Sequence, residues 1–207
     1  MSNPIILTWE YPPRIIGDLA HHVENLTTGL SKAKIPVYVV TCHDAPYQHD
    51  KRSDLLDVYW TSNPVVPHIS VITWCLSLNS EVERVISDIF YDKSRKIDLI
   101  DIHDWHFIPA STSLKRALGI PFIFTIHSLE SQRFPGSTSP LSSCIQGLES
   151  LGIAESDLVI TKTDSMKNEI TVNHGIPQDK VIVIPPTEPN WIRDTLKSYR
   201  RVAFKGV

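Results

Sequence analysis

The sequence predicts a doubly wound α/β domain built on a mostly parallel sheet, the Rossmann-like class of fold. Short apolar runs alternate with helical patterns along the chain, as they do in successive βαβ units. Most of these runs are apolar on both faces, which is typical of strands covered by helices on each side. Between the first two runs, Leu19, Val23, Leu26 and Leu30 form one stripe at helical spacing, the strongest periodic signal in the chain.

The predicted strands are short apolar runs bounded by polar or turn-forming residues. They cover residues 4–9, 36–41, 68–73, 98–103, 121–126, 157–161 and 180–184. Two stretches, 45–67 and 130–140, show no periodic pattern, and we expect long loops there. Loops of that length in a compact domain more often have a function than not.

Helical patterns lie between most of these strands. The second helix is predicted to begin at a capping box of Ser80 and Glu83. The fourth is predicted to begin at Ser139-Pro140 and to end at Gly152. The predicted helices cover residues 19–33, 80–91, 107–118, 139–152, 164–174 and 191–199.

Length and composition indicate one soluble domain. The chain has 207 residues, 42% of them hydrophobic, which is enough to bury one good-sized core. One domain is expected over residues 1–186, and residues 187–207 are expected to form an exit or linker segment that is helical in part. No run approaches the roughly 20 apolar residues that span a bilayer, and the start does not resemble a signal peptide. We therefore expect a cytoplasmic protein without a membrane span.

Several functional classes are excluded by motifs that the sequence lacks. Its eight glycines are spaced so that neither a G-x-G-x-x-G fingerprint nor a P-loop can be written, and there is no G-x-S-x-G elbow. A net charge of -3 gives no reason to expect a nucleic-acid partner. Three widely spaced cysteines support neither a disulfide framework nor a metal knuckle. No metal and no cofactor are predicted.

Polar residues follow three of the predicted strands, at the edge where open parallel sheets bind ligands. The first strand leads into EYPPRIIGD, which begins at Glu10 and ends at Asp18. The fourth leads into HDWH, residues 103–106, and the fifth into TIHSLE, which contains His127. Because these segments share one edge of the sheet, we expect a cleft that contains histidines and carboxylates.

Each of these residues also has a purely structural interpretation. Asp104 could cap the helix that follows it, since Asp is a preferred N-cap. His127 alone would more often be a satisfied structural histidine, and Glu10 could bond nearby backbone amides. His103 and His106 could form a metal pair, but without a clear third ligand a loop is the favoured interpretation.

Five segments carry a family resemblance. They are TWEYPP with GDLAHHVENLTTGL, then DLIDIHDWHFIPA, GIPFIFTIHSLE, ESDLVITKTDSMKNEI and DKVIVIPP, in this order over about residues 4–186. Together they resemble the amino-terminal domain of retaining GT-B glycosyltransferases, such as glycogen and starch synthases and related sugar-nucleotide glycosyltransferases. The resemblance implies an acceptor-side domain that faces a donor-binding domain. Glucosyl or another hexosyl unit would pass from a nucleotide sugar, such as ADP-glucose or UDP-glucose, to a glucan or sugar acceptor.

The resemblance also implies roles for individual residues. His127 matches the family histidine beside the transferred sugar, and Asp104 matches an aspartate of the active-site cleft, so both are candidate catalytic residues. Glu10 matches the acidic residue after the first strand, and Gly17 matches the first glycine of a loop that approaches the donor diphosphate. The remaining candidate substrate-binding residues are neighbours of these in the sequence: Arg14, Asp18, His106 and Ser128.

Departures from the family pattern weaken the predicted phosphate site. Asp18 stands where the family has a second glycine, and Ile15 stands where it has a lysine, with only Arg14 as a nearby cation. An aspartate at a helix start can cap the N–H groups that would bind phosphate, and its charge repels a diphosphate. The printed sequence has no counterpart of the donor domain, so we expect a half-enzyme that is inactive alone. It is either a fragment of a longer protein or a stand-alone subunit completed by a separate donor-domain chain.

Two alternatives remain open. The first is a non-catalytic module, related to glycogen synthase, that binds carbohydrate or a partner protein. The second is an unrelated flavodoxin-type protein, which is disfavoured because Tyr11-Pro12-Pro13 does not resemble a phosphate-binding loop.

Overall fold

An eight-stranded sheet organises the chain in the computed structural model, which describes residues 3–92 and 94–204. The strands are β1 (Pro4–Leu7), β2 (Val37–Cys42), β3 (Gln48–Ser53), β4 (Leu56–Thr61), β5 (Leu99–His103), β6 (Phe122–Thr125), β7 (Leu158–Thr161) and β8 (Val181–Val183). Their order across the sheet is β3-β4-β2-β1-β5-β6-β7-β8, and neighbours are parallel except β3 and β4. The predicted doubly wound α/β class is confirmed.

Helices cover both faces of this sheet. Within the described residues the α-helices are α1 (Asp18–Lys32), α2 (Val71–Tyr91), α3 (Ile108–Leu118), α4 (Glu130–Arg133), α5 (Pro140–Glu155), α6 (Asp164–His174) and α7 (Trp191–Ala203). Successive side chains of β1 point to opposite faces of the sheet and therefore pack against different layers of helices. Ile5 and Leu7 belong to the apolar cluster of α2, α3 and α6, whereas Ile6 belongs to that of α1 and α7. None of these helices has the length and apolar character needed to cross a membrane.

The largest difference from the sequence prediction lies between β2 and α2. Residues 45–67, where the sequence predicts a patternless loop, contain the antiparallel hairpin of β3 and β4. β4 is almost wholly buried and pairs with β2, whereas β3 has the polar sequence QHDKRS and is mostly exposed. An edge strand of this kind buries no apolar face, so its sequence shows no period of two.

The strand predicted over residues 68–73 is wrong, because α2 begins within it. The cap is Ser70, whose hydroxyl accepts a hydrogen bond of 3.2 Å from the backbone N–H of Thr73. The predicted capping pair, Ser80 and Glu83, therefore lies inside the helix. A capping box is a local pattern that also occurs by chance in helix interiors, and here the earlier pair begins the helix.

Helix α5 also runs further than predicted, since it continues past Gly152 to Glu155. The glycine has a packing role instead. A Cβ atom at this position would lie 2.4 Å from Ile108 Cδ1 and 2.9 Å from the ring of Phe124. The absence of a side chain allows α5 to approach β6 and α3 closely.

The segment after residue 186 packs against the same sheet. The side chain of Tyr199 on α7 is fully buried, and its hydroxyl donates a hydrogen bond to the carboxylate of Asp101 on β5. Helix α7 packs in the same apolar cluster as α1, on one face of the sheet. The predicted domain boundary at residue 186 stays a prediction.

The order of the strands determines where a ligand site is expected. The chain passes from β1 to β2 on one side, and β5 pairs with β1 on the other. This reversal is a topological switch point, and ligands of open α/β sheets bind outside the carboxyl ends of the strands that flank it. The segments after β1, β5 and β6 all lie at this edge.

Candidate active site at the carboxyl edge of the sheet

One hydrogen bond joins the segments that follow β5 and β6. The backbone N–H of His127 donates to the carboxylate of Asp104 over 2.8 Å. Asp104 has a φ of 61°, a conformation that non-glycine residues adopt rarely and that is typical of functional sites. Its side chain makes no capping bond to the helical turn that follows, so the capping interpretation does not hold. Burial raises the pKa of the Asp104 carboxyl.

The His127 ring contacts a second histidine from β5. His103 is fully buried, and its Nδ1 lies 2.8 Å from Nε2 of His127. On the other side of its ring, His103 Nε2 lies 3.5 Å from a carboxylate oxygen of Asp101. Asp101 is itself buried and accepts a hydrogen bond of 2.6 Å from the Thr125 hydroxyl. Burial, reinforced by the neighbouring His103, lowers the pKa of His127 well below its usual value.

A third histidine comes from α1. The ring of His22 lies edge-on to His127, with ring centres 4.7 Å apart, and against Trp191 of α7 at 4.8 Å. Burial lowers the pKa of His22 to about 3, so the ring is neutral at physiological pH. A small cavity of about 20 Å³ is lined by all three histidines together with Lys162.

These three imidazoles are the residues that could hold a metal ion, because nitrogen atoms of the three rings lie within 4.8 Å of one another. The ring centres of His103 and His127 are 5.1 Å apart, while their facing nitrogens are only 2.8 Å apart. Each of these nitrogens therefore points at the other ring, whereas metal ligands point at a common third position. This geometry favours an N–H···N hydrogen bond.

The turn after β1 is closed by its own carboxylate. Oε2 of Glu10 accepts hydrogen bonds from the backbone N–H of Ile16 at 2.6 Å and of Gly17 at 2.7 Å. Glu10 is buried, whereas Asp18 is exposed in the first turn of α1. The amide of Gly17, which the resemblance assigns to a diphosphate loop, is thus bound to Glu10. This is the structural interpretation that the sequence leaves open for Glu10.

Arg14 and Lys162, two of the cations near this edge, have different environments. The guanidinium of Arg14 donates to the carbonyl oxygen of Trp9 and lies over the Trp9 and Trp74 rings, at 5.3 and 5.9 Å from their centres. Lys162, which directly follows β7, lines the histidine cavity and the larger open cleft beside α1. Burial lowers the pKa of Lys162, while the charges of Asp104 and Asp18 act in the opposite direction.

The two remaining candidates have structural partners. His106 is buried between Trp9 and Trp105, with ring centres at 4.5 and 4.1 Å, and burial lowers its pKa to about 3. Its surroundings differ from those of His103, its suggested metal partner. Ser128 accepts hydrogen bonds from Arg133 at both its carbonyl and its hydroxyl oxygen, at 2.8 and 2.7 Å.

Three residues of this site are not among those that the sequence predicts. Lys162 could have been found, because it directly follows an apolar run, the criterion that selected His127. Asp101 also leaves a signal, since it is a charged residue inside an otherwise apolar strand. His22 leaves none: its position on α1 becomes meaningful only once the packing of α1 beside β5 and β6 is known.

Comparison with known proteins places the chain among glycosyltransferases. The model of the Glycosyltransferase Family 4 domain matches residues 19–187. The chain is 36% identical over 182 residues to an uncharacterized glycosyltransferase of Methanocaldococcus jannaschii, covering 86% of the chain and 44% of that protein. It is 30% identical over 193 residues to glycogen synthase of Mycobacterium tuberculosis, covering 87% and 47%. The chain thus spans about half the length of these curated relatives.

Solved structures share the fold at low sequence identity. A sucrose-phosphate synthase structure from Thermosynechococcus elongatus has a TM-score of 0.69 at 13% identity, covering 97% of this chain and 98% of that one. The catalytic domain of starch synthase IV from Arabidopsis thaliana has a TM-score of 0.56 at 13% identity, covering 97% and 50%. The resemblance to the amino-terminal half of GT-B enzymes is confirmed, and the match over residues 19–187 shows that this chain belongs to Glycosyltransferase Family 4.

Proposed function

We propose that this chain is the acceptor-side half of a hexosyltransferase that uses a nucleotide sugar, such as ADP-glucose or UDP-glucose, and a glucan or sugar acceptor. The observation that supports this most directly is the hydrogen bond of 2.8 Å between His127 and Asp104, at the switch point of a Family 4 domain. Two of the named proteins fit this substrate class: one is a glycogen synthase, and one of the solved structures is a starch synthase bound to ADP and acarbose.

The chemistry of these groups suits a sugar ligand. His127 is neutral at physiological pH because its pKa is lowered, and its Nδ1 is buried without a hydrogen-bond partner in the protein. A sugar hydroxyl would supply that partner. The Asp104 carboxyl can orient an acceptor hydroxyl, and Lys162 is the nearby cation that can offset the negative charge of a departing nucleoside diphosphate. In this proposal a donor-binding domain completes the cleft.

Calorimetric titration with maltoheptaose tests the proposed cleft. We expect His127→Ala and Asp104→Asn each to weaken binding by at least about tenfold, the loss of one hydrogen bond to a charged or buried group. His49→Gln, on the distant edge strand β3, is the matched control and should bind as the unaltered chain does. Clear binding that is insensitive to both cleft substitutions would contradict the site assignment.

A transfer assay tests the half-enzyme. The chain incubated with ADP-glucose or UDP-glucose and maltoheptaose is expected to release no nucleoside diphosphate, because the donor-binding surface is not supplied. Transfer is expected only when a donor-side domain is added. Sustained release of ADP or UDP by the chain alone would overturn the proposal that it is half of an enzyme.

One observation favours a second candidate function, that of a non-catalytic module that binds carbohydrate or a partner protein. The Glu10 carboxylate already occupies the amides of Ile16 and Gly17, and Asp18 adds a further negative charge beside them. The transfer assay with an added donor-side domain separates the two candidates. If maltoheptaose binds through His127 but added donor-side domain produces no transfer, the non-catalytic module is the better account.

A further inference from the structure

Three ionisable side chains form a line that begins inside the sheet and ends at the cavity. Asp101 and His103 lie two residues apart on β5 and therefore on the same face of the strand, and His127 follows the neighbouring strand β6. His103 Nε2 lies 3.5 Å from Asp101 Oδ2, and His103 Nδ1 lies 2.8 Å from His127 Nε2. His127 Nδ1, at the far end, is buried and unpartnered.

The chemistry of the first group sets the direction of the line. Asp101 accepts hydrogen bonds from the hydroxyls of both Thr125 and Tyr199, one on each oxygen, so the group is a carboxylate. A carboxylate has no proton to donate. Its negative charge therefore favours hydrogen on the nitrogen of His103 that faces it, across a contact of 3.5 Å that is not itself a hydrogen bond.

The tautomer of each ring then follows from the one before it. In a neutral imidazole one nitrogen donates and the other accepts. With hydrogen on Nε2, Nδ1 of His103 is an acceptor, and the facing nitrogen of His127 must be the donor. The same rule leaves the other nitrogen of His127, Nδ1, with a lone pair.

We propose that Asp101 and His103 are positioning residues for His127, which hold the His127 proton on Nε2 and present Nδ1 as a hydrogen-bond acceptor. A ligand that pairs with Nδ1 must then bring a hydrogen-bond donor, and a hydroxyl group meets this requirement. That this hydroxyl belongs to a sugar rests on the proposed function. The tautomer itself does not depend on that function, because it is set by groups within the chain.

Nitrogen-15 NMR of the imidazole side chains tests the tautomer without any ligand, because protonated and unprotonated ring nitrogens have well-separated shifts. Loss of signals in His127→Gln and His103→Gln assigns the two rings. In the unaltered chain at neutral pH we expect His127 to be protonated on Nε2 only, and His103 on Nε2 only. Protonation of His127 on Nδ1, or of His103 on both nitrogens, would overturn the proposal.

Asp101→Asn tests whether the carboxylate sets the direction. Thr125 donates to Oδ1 of Asp101 and Tyr199 donates to Oδ2, the oxygen that faces His103, so Asp101→Asn is made together with Tyr199→Phe, which leaves the new amide NH₂ on the side of His103. That NH₂ would donate to His103 Nε2, so the protons of both rings should move to Nδ1 and the two nitrogen shifts of His127 should exchange. Unchanged tautomers in Asp101→Asn would contradict a positioning role.

Tyr199→Phe is the matched control. It removes a hydrogen bond to the same carboxylate but keeps the carboxylate itself, so the tautomers of His103 and His127 should stay as they are. A tautomer change in this variant would mean that any loss of packing around Asp101 shifts the tautomers, and this result would contradict the proposal. Added Zn²⁺ should leave the shifts unchanged, whereas a stoichiometric shift of the three histidines would assign them to a metal site instead.

If the tautomers are as expected but maltoheptaose does not bind, only the proposed function fails. If maltoheptaose binds through His127 but Nδ1 bears the proton, only the positioning role fails.

Discussion

Two turns at the same edge of the sheet use a buried carboxylate in opposite ways. After β1, Glu10 binds the amides of Ile16 and Gly17, which are six and seven residues away in the chain. Within β5 and in the segments that follow β5 and β6, which together form the second turn, the bonds join residues far apart in sequence, from Asp101 to Tyr199 and from Asp104 to His127. The first turn is a local, closed arrangement, and the second is assembled by the whole fold.

The two turns also differ in what they leave unsatisfied. At the second turn, His127 Nδ1 is buried without a hydrogen-bond partner, and such an atom costs about 1–3 kcal/mol. Glu10 is not among the described residues with an orphaned side-chain atom. Unpaired buried groups persist where a ligand provides the missing partner, so the second turn is the better candidate for substrate recognition.

The largest expected effect is that of Asp101→Ala, which removes the central acceptor of the assembled turn. The hydroxyls of Thr125 and Tyr199 would lose their acceptor in a buried setting. Loss of one partner from a buried charged network typically costs about 3–5 kcal/mol, and we expect the free energy of unfolding in urea to fall by that amount. Asp54→Ala, at an exposed turn, should change it by less than about 0.5 kcal/mol. A loss below about 1 kcal/mol for Asp101→Ala would contradict the importance of this network.

A second effect should appear in the pH dependence of stability. Glu149 accepts a hydrogen bond from the Glu130 N–H at 2.9 Å and another from Arg133, which also holds Ser128. Burial nevertheless raises the pKa of Glu149 to about 7. The folded chain therefore binds this proton more tightly than the unfolded chain, and the stabilisation is present at low pH and lost as pH rises from about 4.5 to about 7.

Urea unfolding at several pH values measures this effect. The free energy of unfolding should fall by up to about 3 kcal/mol from Glu149 alone between pH 4.5 and 7.5. Glu149→Gln should flatten that part of the curve, while Glu155→Gln, at the more exposed end of α5, should not. Parallel curves for the unaltered chain and Glu149→Gln would show that Glu149 does not titrate in this range.

Glu10→Gln is expected to have a smaller effect, because the closed turn is local. The amide oxygen of Gln can still accept from one or both amides, but the charge is lost, and charged hydrogen bonds contribute about 1.5–3 kcal/mol against about 1 for neutral ones. We expect a loss of about 1–2 kcal/mol in urea unfolding. If Glu10→Gln destabilises the chain as much as Asp101→Ala does, the distinction between the closed and the assembled turn fails.

The same distinction explains what could be predicted from the sequence. Helix α1, the central strands and the edge of the sheet that bears His127 and Asp104 follow from periodicity and from the topology rule, which act over short stretches. The hairpin of β3 and β4 does not follow from these rules, because β3 is polar on both faces. The start of α2 does not follow either, because the helix begins before the capping pattern that the sequence shows. The contacts of Asp101 with Tyr199 and of His22 with His127 join separate elements, so no local pattern encodes them.

The smallest expected effect, that of Asp18→Asn, sharpens the description of the first turn. Asp18 lies exposed in the first turn of α1 and makes no capping bond there. Its charge interacts with the helix dipole and with Lys162, and an exposed interaction of this kind contributes about 0.3–1 kcal/mol at low ionic strength. We therefore expect Asp18→Asn to lower the free energy of unfolding by about 0.5 kcal/mol at low salt, and by almost nothing in about 1 M NaCl, where screening acts within about 3 Å.

Glu10→Gln should keep most of its effect in the same salt, because its hydrogen bonds are buried and direct. A salt-insensitive loss above about 1 kcal/mol for Asp18→Asn would mean that Asp18, like Glu10, binds the amides at the start of α1, and both carboxylates would then have to be displaced before a diphosphate could bind there.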